Sequence, residues 1–259
     1  MMERGRLCGN VAIITGGASG MGRGISREFA SQGASVVIAD INADGAVQVA
    51  EEIQNQHARA MVLEVDVRNH KMVTEAVEHI VEQFGKVDVL VNCAGVNQLL
   101  DPEETTIETW ENIRSTILDG AWYFAKAVIP FMKKNRNGKI VNIGSGAAVQ
   151  GIPQSVPYTA SKHGLLGLTR ALAVDLGPYQ INVNCICPGA VETPLLKRLA
   201  TDTYRHEELK RYPLGRLGKI EDVAKAALFL ASSDSDWITG IALPVDGGLT
   251  SCIRVKNTM

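Results

Sequence analysis

Val11-Ala12-Ile13-Ile14 is a short β-branched and apolar run, the composition of a strand buried on both faces. Thr15-Gly16-Gly17-Ala18-Ser19-Gly20-Met21-Gly22 follows at once. A helical pattern through Ile25, Phe29 and Ala30 comes next and closes at Gly33. No other stretch limits the fold so strongly, because strand, glycine turn and helix in immediate succession begin a β-α-β unit. Glycines at such a turn let the backbone approach a phosphate, and the helix start offers free N–H groups and partial positive charge. The spacing is Gly-x-x-x-Gly-x-Gly rather than the commoner Gly-x-Gly-x-x-Gly. A glycine turn alone can be loop punctuation. Between a strand and a helix it reads as a dinucleotide cradle, with Gly16, Ser19, Gly20, Met21 and Gly22 as its residues.

The next strand, Ser35 to Ala39, ends at Asp40. A carboxylate there can accept hydrogen bonds from ribose hydroxyls and repels a 2′-phosphate, so the expected cofactor is NAD in preference to NADP. A solvated turn is the bland alternative, since Asn42 and Asp44 follow, but the distance from the glycine turn favours the ribose role. Apolar runs at Ala60 to Val65, Val87 to Val91, Ile140 to Ile143, Ile181 to Ile186 and Ile241 to Val245 read as further strands. Helical patterns fill about 43–56, 69–84, 103–134, 155–177 and 219–231. This alternation predicts an α/β fold with a parallel sheet covered on both faces by right-handed crossovers. No linker, repeat or low-complexity segment divides the chain, so residues 1–259 read as one domain.

A second constellation lies in Tyr158-Thr159-Ala160-Ser161-Lys162. Residues four apart on a helix share a face. A free phenol, with a pKa of about 10, is a poor base at neutral pH, and a fixed cation beside it favours the phenolate. The spacing alone is weak evidence, because many surface helices carry such a pair. Here the tyrosine follows Pro153 and Pro157, where a helix start is expected. Ser145 lies just beyond the run Ile140 to Ile143, at a strand end of the kind that carries catalytic groups in open α/β sheets. Ser145, Tyr158 and Lys162 together can exchange a proton with a carbinol or carbonyl oxygen while a cofactor takes or gives a hydride.

Composition narrows the partners. A net charge of -2 gives no reason to expect nucleic acid or an anionic membrane. No stretch is long and apolar enough to span a bilayer, and Met1-Met2-Glu3-Arg4-Gly5 lacks a signal-peptide core, so the cytoplasm is the expected location. The 5 cysteines and 5 histidines show no metal-ligand spacing, and no metal is expected. Cys185 and Cys187, two apart on an apolar strand, read as core, and Cys93 as packed too.

With these motifs in order, the chain resembles a classical short-chain dehydrogenase/reductase along nearly its whole length. The turn from Thr15 to Gly22 matches that family's cofactor motif, Asn92-Cys93-Ala94-Gly95 resembles Asn-Asn-Ala-Gly with Cys93 replacing the second Asn, and Asp246-Gly247-Gly248 resembles the C-terminal signature. The resemblance implies a single-domain Rossmann-type doubly wound parallel sheet of about seven strands. It implies that Asp66 and Val67 meet the adenine, that Asn92, Ala94 and Gly95 border the cofactor, and that Tyr158 and Lys162 also touch its ribose. Asn184 matches the segment through which Pro188, Gly189, Val191 and Thr193 close over the nicotinamide. Substrate walls are expected near Val96-Asn97-Gln98 and Val149 to Gln154, with Asn97, Val149 and Gln154 as candidates, and a lid at about 190–215. The lid charges Lys197, Arg198, Arg205 and His206 read as the solvated face of amphipathic helices in preference to an anionic-substrate clamp. The resemblance implies a homotetramer, since family members commonly pair through the long helices here at about 103–134 and 155–177 and through the C-terminal strand region.

One position departs from the pattern. Counting from Trp110 to Gly120, a fourth catalytic residue, usually asparagine, falls on Ile117, which cannot hydrogen-bond; Asn112 and Asp119 are nearby but off register. The leading expectation is an NAD-dependent oxidoreductase interconverting a secondary alcohol and a ketone. A 3-oxoacyl-carrier-protein reductase is the weaker option, because Asp40 opposes NADP and Val174 stands where such relatives tend to carry arginine. A nucleotide-binding regulator with impaired catalysis is the third, supported by Ile117 alone.

Overall fold

The computed structural model describes residues 5–199 and 209–251. Seven parallel strands form one sheet in the order β3-β2-β1-β4-β5-β6-β7. They are β1 (Val11–Thr15), β2 (Ser35–Asp40), β3 (Ala60–Glu64), β4 (Val89–Asn92), β5 (Gly138–Ile143), β6 (Ile181–Pro188) and β7 (Ala242–Val245). The chain builds outward from β1 to β3, then returns to lay β4 on the other side of β1. That reversal opens a crevice at the carboxyl ends of β1 and β4, where ligands of open α/β sheets bind.

The helices are α1 (Gly20–Ser31), α2 (Ala43–Gln54), α3 (His70–Phe84), α4 (Ile107–Arg114), α5 (Gly120–Asn135), α6 (Val156–Leu176), α7 (Pro194–Leu199) and α8 (Ile220–Ala231). Strand alternation sorts them onto two faces. Ile14 and Ile38 point to one face and pack with Phe29 of α1, Val49 of α2 and Leu228 of α8. Ile13 and Val37 point to the other and pack with Ile80 of α3, Phe124 of α5 and Leu172 of α6. Side-chain caps fix several helix starts: Asn42 accepts from Gly45 N, Asn69 from Lys71 N and Met72 N, and Thr106 from Thr109 N.

The helix expected over 103–134 is two helices. Residues Pro102–Glu104 form a separate short turn, α4 starts only at Ile107, and Ser115–Asp119 form a π-turn before α5 continues to Asn135. The Gly120 N–H donates to Ser115 O, five residues back, which inserts one residue into the helical spacing. Of the expected lid, α7 and residues 209–215 are described, whereas Arg205 and His206 lie outside the described residues. The lid's two roots are zipped together: Glu192 N donates to Gly218 O at 3.0 Å and Gly218 N to Ala190 O at 2.9 Å. Among the described residues, no helix is long and apolar enough to cross a membrane, and no cluster of three or more His, Cys, Asp or Glu is arranged to hold a metal ion.

Candidate active site

The glycine turn is shaped by contacts that exclude a side chain. Gly16 has φ +64°, and a Cβ there would stand 2.8 Å from Ala94 Cα. A Cβ on Gly22 would overlap the Gly16 carbonyl oxygen. Thr15 Oγ1 accepts from Cys93 N at 3.0 Å and Ala94 N at 3.2 Å, tying the end of β1 to the segment after β4. Ser19 is the N-cap of α1 but its side chain caps nothing, and the first turn carries no acidic residue. The N–H groups of that turn are left for an anion, so the residues present fit a dinucleotide pyrophosphate.

These elements border a cavity of about 370 Å³ that brings together Gly16, Ser19, Gly20, Met21, Gly22 and Asp40 with Asp66, Val67, Ala94, Gly95 and Thr193. Asp40 is held by two backbone donors, Ala18 N at 3.0 Å and Asn42 N at 2.9 Å, which fix its carboxylate at the rim. Asp66 is gripped by Arg68 at 2.6–3.0 Å, and this hydrogen bonding holds its carboxyl below the usual carboxylate range. Arg68, Cys93, Asn112 and Arg198 also line the cavity, and sequence reasoning gave them no cofactor role. Cys93 is half-buried beside this wall, and desolvation pushes its thiol up to about 12 against the pull of the Lys162 charge. Asn92 lies beneath the cavity, not on it. Its Nδ2 donates to Asn142 Oδ1 at 2.9 Å, and Asn142 donates to Thr169, so it braces β4, β5 and α6.

Ser145 lies two residues beyond the end of β5, with its Oγ accepting from Ala147 N at 3.1 Å. Tyr158 sits in the first turn of α6, and Lys162 follows one turn later. Lys162 is 4% exposed, and its Nζ donates to the Ile143 carbonyl oxygen at 2.6 Å. The same ammonium lies 5.5 Å from the Tyr158 ring centroid. Cys185 and Cys187 stand side by side under this strand end, both buried. Cys185 Sγ donates to the Ile186 carbonyl oxygen at 3.7 Å, and the closeness of the two thiols holds the Cys187 thiol below the usual range and raises that of Cys185.

Ile117 lies within the π-turn, 2% exposed, packed with Ile113, Ala121, Leu165, Val96 and Tyr158. A Cβ built on Gly95 would be 3.9 Å from Ile117 Cγ1 and 4.0 Å from Lys162 Nζ. The isoleucine thus projects at the edge of the Tyr158–Lys162 pair and offers it no hydrogen bond. Neither polar neighbour compensates. Asn112 accepts from Arg68 at 2.8 Å, and Asp119 pairs with Arg114 at 2.6 Å.

A second cavity of about 180 Å³ opens beside Ser145 and Tyr158 and takes in Asn97, Pro188, Gly189 and Val191. Met21, Thr193 and Leu195 line both cavities, so the two spaces adjoin across them. Its remaining walls are mainly apolar, with Leu99, Ile152, Leu196 and Leu249 among them. Val149 and Gln154, expected as pocket walls, are not part of this lining. Val149 is exposed, and Gln154, at φ +56°, turns away to donate from Nε2 to Asp101 Oδ1 at 3.1 Å. Tyr212 was not foreseen from sequence. It is buried, its hydroxyl oxygen accepts from Ala190 N at 2.6 Å, and a Cβ on Gly189 would meet its ring at 2.8 Å.

Residues 16–250 match the family model described as Enoyl-(Acyl carrier protein) reductase. The chain belongs to the short-chain dehydrogenase/reductase family. It is 37% identical over 244 residues to the 3-oxoacyl-acyl-carrier-protein reductase of Thermotoga maritima, covering 94% of this chain and 99% of the relative. It is 37% identical over 246 residues to the D-threitol dehydrogenase of Mycolicibacterium smegmatis, covering 95% and 94%. Among solved structures it is similar to a protein from Beutenbergia cavernae provisionally described as an NAD(P)-dependent gluconate 5-dehydrogenase with bound NADP at low occupancy. The TM-score is 0.92, the identity 34%, and the coverage 96% of this chain and 100% of that one. The protein is therefore an oxidoreductase of this family, whose members bind a nicotinamide cofactor.

Proposed function

We propose that the protein interconverts a secondary alcohol and a ketone and prefers NAD to NADP. The observation that carries the reading is Ser145 and Tyr158 on the wall of the second cavity, with the buried Lys162 ammonium 5.5 Å from the Tyr158 ring centroid. When bound, the nicotinamide supplies the hydride acceptor or donor. The chain's own residues handle the proton and the oxygen. In oxidation, Tyr158 Oη takes the carbinol proton, Ser145 Oγ donates a hydrogen bond to the same oxygen, and the Lys162 ammonium faces the negative charge that collects on the phenol. In reduction, Tyr158 returns the proton to the carbonyl oxygen. The glycine turn, Asp40, Asp66, Val67 and the segment Pro188, Gly189, Val191 and Thr193 would hold the dinucleotide.

The NAD preference rests on Asp40 and on the residues beside it, Ile41, Asn42, Ala43 and Asp44, which supply no cation for a 2′-phosphate. The relative with bound NADP makes this a point to be measured. The apolar cavity suits a small or medium substrate with its reacting oxygen at Ser145. Similarity to the Thermotoga maritima enzyme supports a second reading, reduction of a 3-oxoacyl thioester by the same residues. We place the protein in the cytoplasm as a homotetramer acting on small molecules, with neither nucleic acid nor membrane as partner.

A screen of sugar alcohols, diols, hydroxy acids and hydroxysteroids with NAD, run beside 3-oxoacyl thioesters with NADH and NADPH, separates these readings. NADH formation from a simple secondary alcohol supports the first. Turnover confined to thioesters with NADPH supports the second. Tight NADH binding without turnover of any compound leaves the catalytically impaired regulator.

A further inference from the structure

Among the described residues, one cation of the cofactor cavity has no ion-pair partner. Four charged side chains line it: Asp40, Asp66, Arg68 and Arg198. Arg68 is spent, its guanidinium donating to both Asp66 oxygens and to Asn112 Oδ1. Asp40 is held by the Ala18 and Asn42 N–H groups. Arg198 has no ion pair or hydrogen-bond partner among the described residues.

Its placement is set by the start of α7. Leu196 N donates to Thr193 Oγ1 at 3.3 Å and Lys197 N to Thr193 O at 3.0 Å, so Thr193 anchors the helix. That anchor lies over the N-terminus of α1: a Cβ on Gly20 would be 3.6 Å from Thr193 Cβ and 3.7 Å from Pro194 Cδ. Leu196 lines only the substrate cavity, Leu195 lines both, Arg198 lines only the cofactor cavity, and Lys197 lines neither. The helix thus divides its side chains between the two spaces. Opposite it, the first turn of α1 has an N-cap that makes no side-chain bond and no acid of its own. One wall offers backbone N–H groups and the facing element offers a guanidinium, the donor set that a pyrophosphate with two negative charges requires.

Resting on the dinucleotide reading, we propose that Arg198 is a pyrophosphate-binding residue that couples α7 to the cofactor. With the dinucleotide bound, its guanidinium answers the phosphate charge from the side opposite α1. The same contact holds Leu195 and Leu196 over the substrate cavity. Its position away from that cavity argues against a role as a clamp for an anionic substrate.

Calorimetry with NADH, NADPH, ADP and adenosine on the full chain tests this, using Arg198→Met, Arg198→Lys and, as control, Lys197→Met. Arg198→Met is expected to weaken NADH and ADP about tenfold and leave adenosine unchanged, because only the first two carry the diphosphate. Arg198→Lys should fall between, since an ammonium keeps the charge and loses the fork. Lys197→Met should bind as wild type. Equal ADP affinity in wild type and Arg198→Met overturns the proposal, as does a loss seen only with NADPH, which assigns the cation to the 2′-phosphate. A wild-type chain that binds neither NADH nor NADPH overturns the dinucleotide reading itself.

Discussion

Lys162 and Tyr158 occupy one face of α6, but only the lysine is tied down. Its 2.6 Å bond to the Ile143 carbonyl oxygen spends one of three N–H donors and fixes the ammonium 5.5 Å from the Tyr158 ring centroid. Tyr158→Phe keeps the ring against Ile117 and removes the proton. It should lower kcat by about 10²- to 10⁴-fold while NADH affinity by calorimetry stays near wild type. Near-normal turnover in that variant would take the tyrosine out of the chemistry. Asp40 carries the second residue-scale expectation. Asp40→Ser removes the charge opposed to a 2′-phosphate, so the ratio of kcat/KM for NAD over NADP should fall toward one. A ratio that does not move would place the discrimination elsewhere. At this scale the sequence is readable where one residue type alone fits, as at Gly16 and Gly22, whose missing Cβ atoms leave room for backbone. The substrate wall was readable in part: Asn97 and Gln150 to Pro153 lie in the expected stretches, whereas Leu99 and Leu249 come from separate segments and share no period. Gln154 was misplaced for a related reason: its positive φ and its bond to Asp101 depend on two loops meeting.

Among the elements, the π-turn Ser115–Asp119 bears most directly on the chemistry. A pattern of period 3.6 reads 103–134 as one helix, and a single inserted residue is invisible to it. The turn brings Ile117 against Tyr158, and its side chain has no polar atom to hold a water. The proton taken by Tyr158 must leave by a route with other partners, because a buried polar path needs them. Ile117→Asn should therefore leave turnover similar or raise it modestly, with a smaller solvent isotope effect on kcat than wild type. If wild type is inert with every alcohol and Ile117→Asn restores turnover, the dehydrogenase reading of the native chain fails. The start of α8 gives a pH-dependent case. Asp222 accepts from Lys219 N at 2.8 Å and pairs with Arg216 at 2.6 Å, and Arg216 foremost holds its carboxyl down at about 2. A depressed carboxyl stabilises the fold above its unfolded pKa, and that contribution is lost as pH falls through the folded value. Asp222→Ala should lower Tm at neutral pH, by a modest amount because both side chains are partly exposed. The gap to wild type should close between about pH 4 and about pH 2. A gap that stays constant across that window would assign the effect to lost packing.

For the whole molecule, the fold was legible because a parallel sheet covered on both faces writes its strands as unbroken apolar runs. Ile13 and Ile14 bury against opposite helix layers, so both must be apolar, and the run Val11 to Ile14 shows it. Assembly is not written that way, since a surface that pairs with another copy looks like any partly apolar surface. The exposed large side chains nevertheless have a pattern. Ile107 on α4, Trp122 on α5, and Val156 and Val174 on α6 all face solvent in the single chain, Val174 at 77%. These are the helices through which the family resemblance leads one to expect pairing. The sheet also ends at β7, whose outer edge needs cover; Pro244 within it lacks the N–H that would otherwise template another strand. Covering the helix faces would remove several large apolar groups from water at once, and the homotetramer is the expected state. Sedimentation should give a mass about four times that of the chain at micromolar concentration, and Tm should rise with protein concentration, because association draws only on folded chains. Val174→Glu puts a charge on that face without touching the core, so it should shift the mass to smaller species and lower Tm while leaving NADH affinity unchanged. A wild-type monomer whose Tm is independent of concentration would sink the expectation and leave the exposed valine and tryptophan without an occupant.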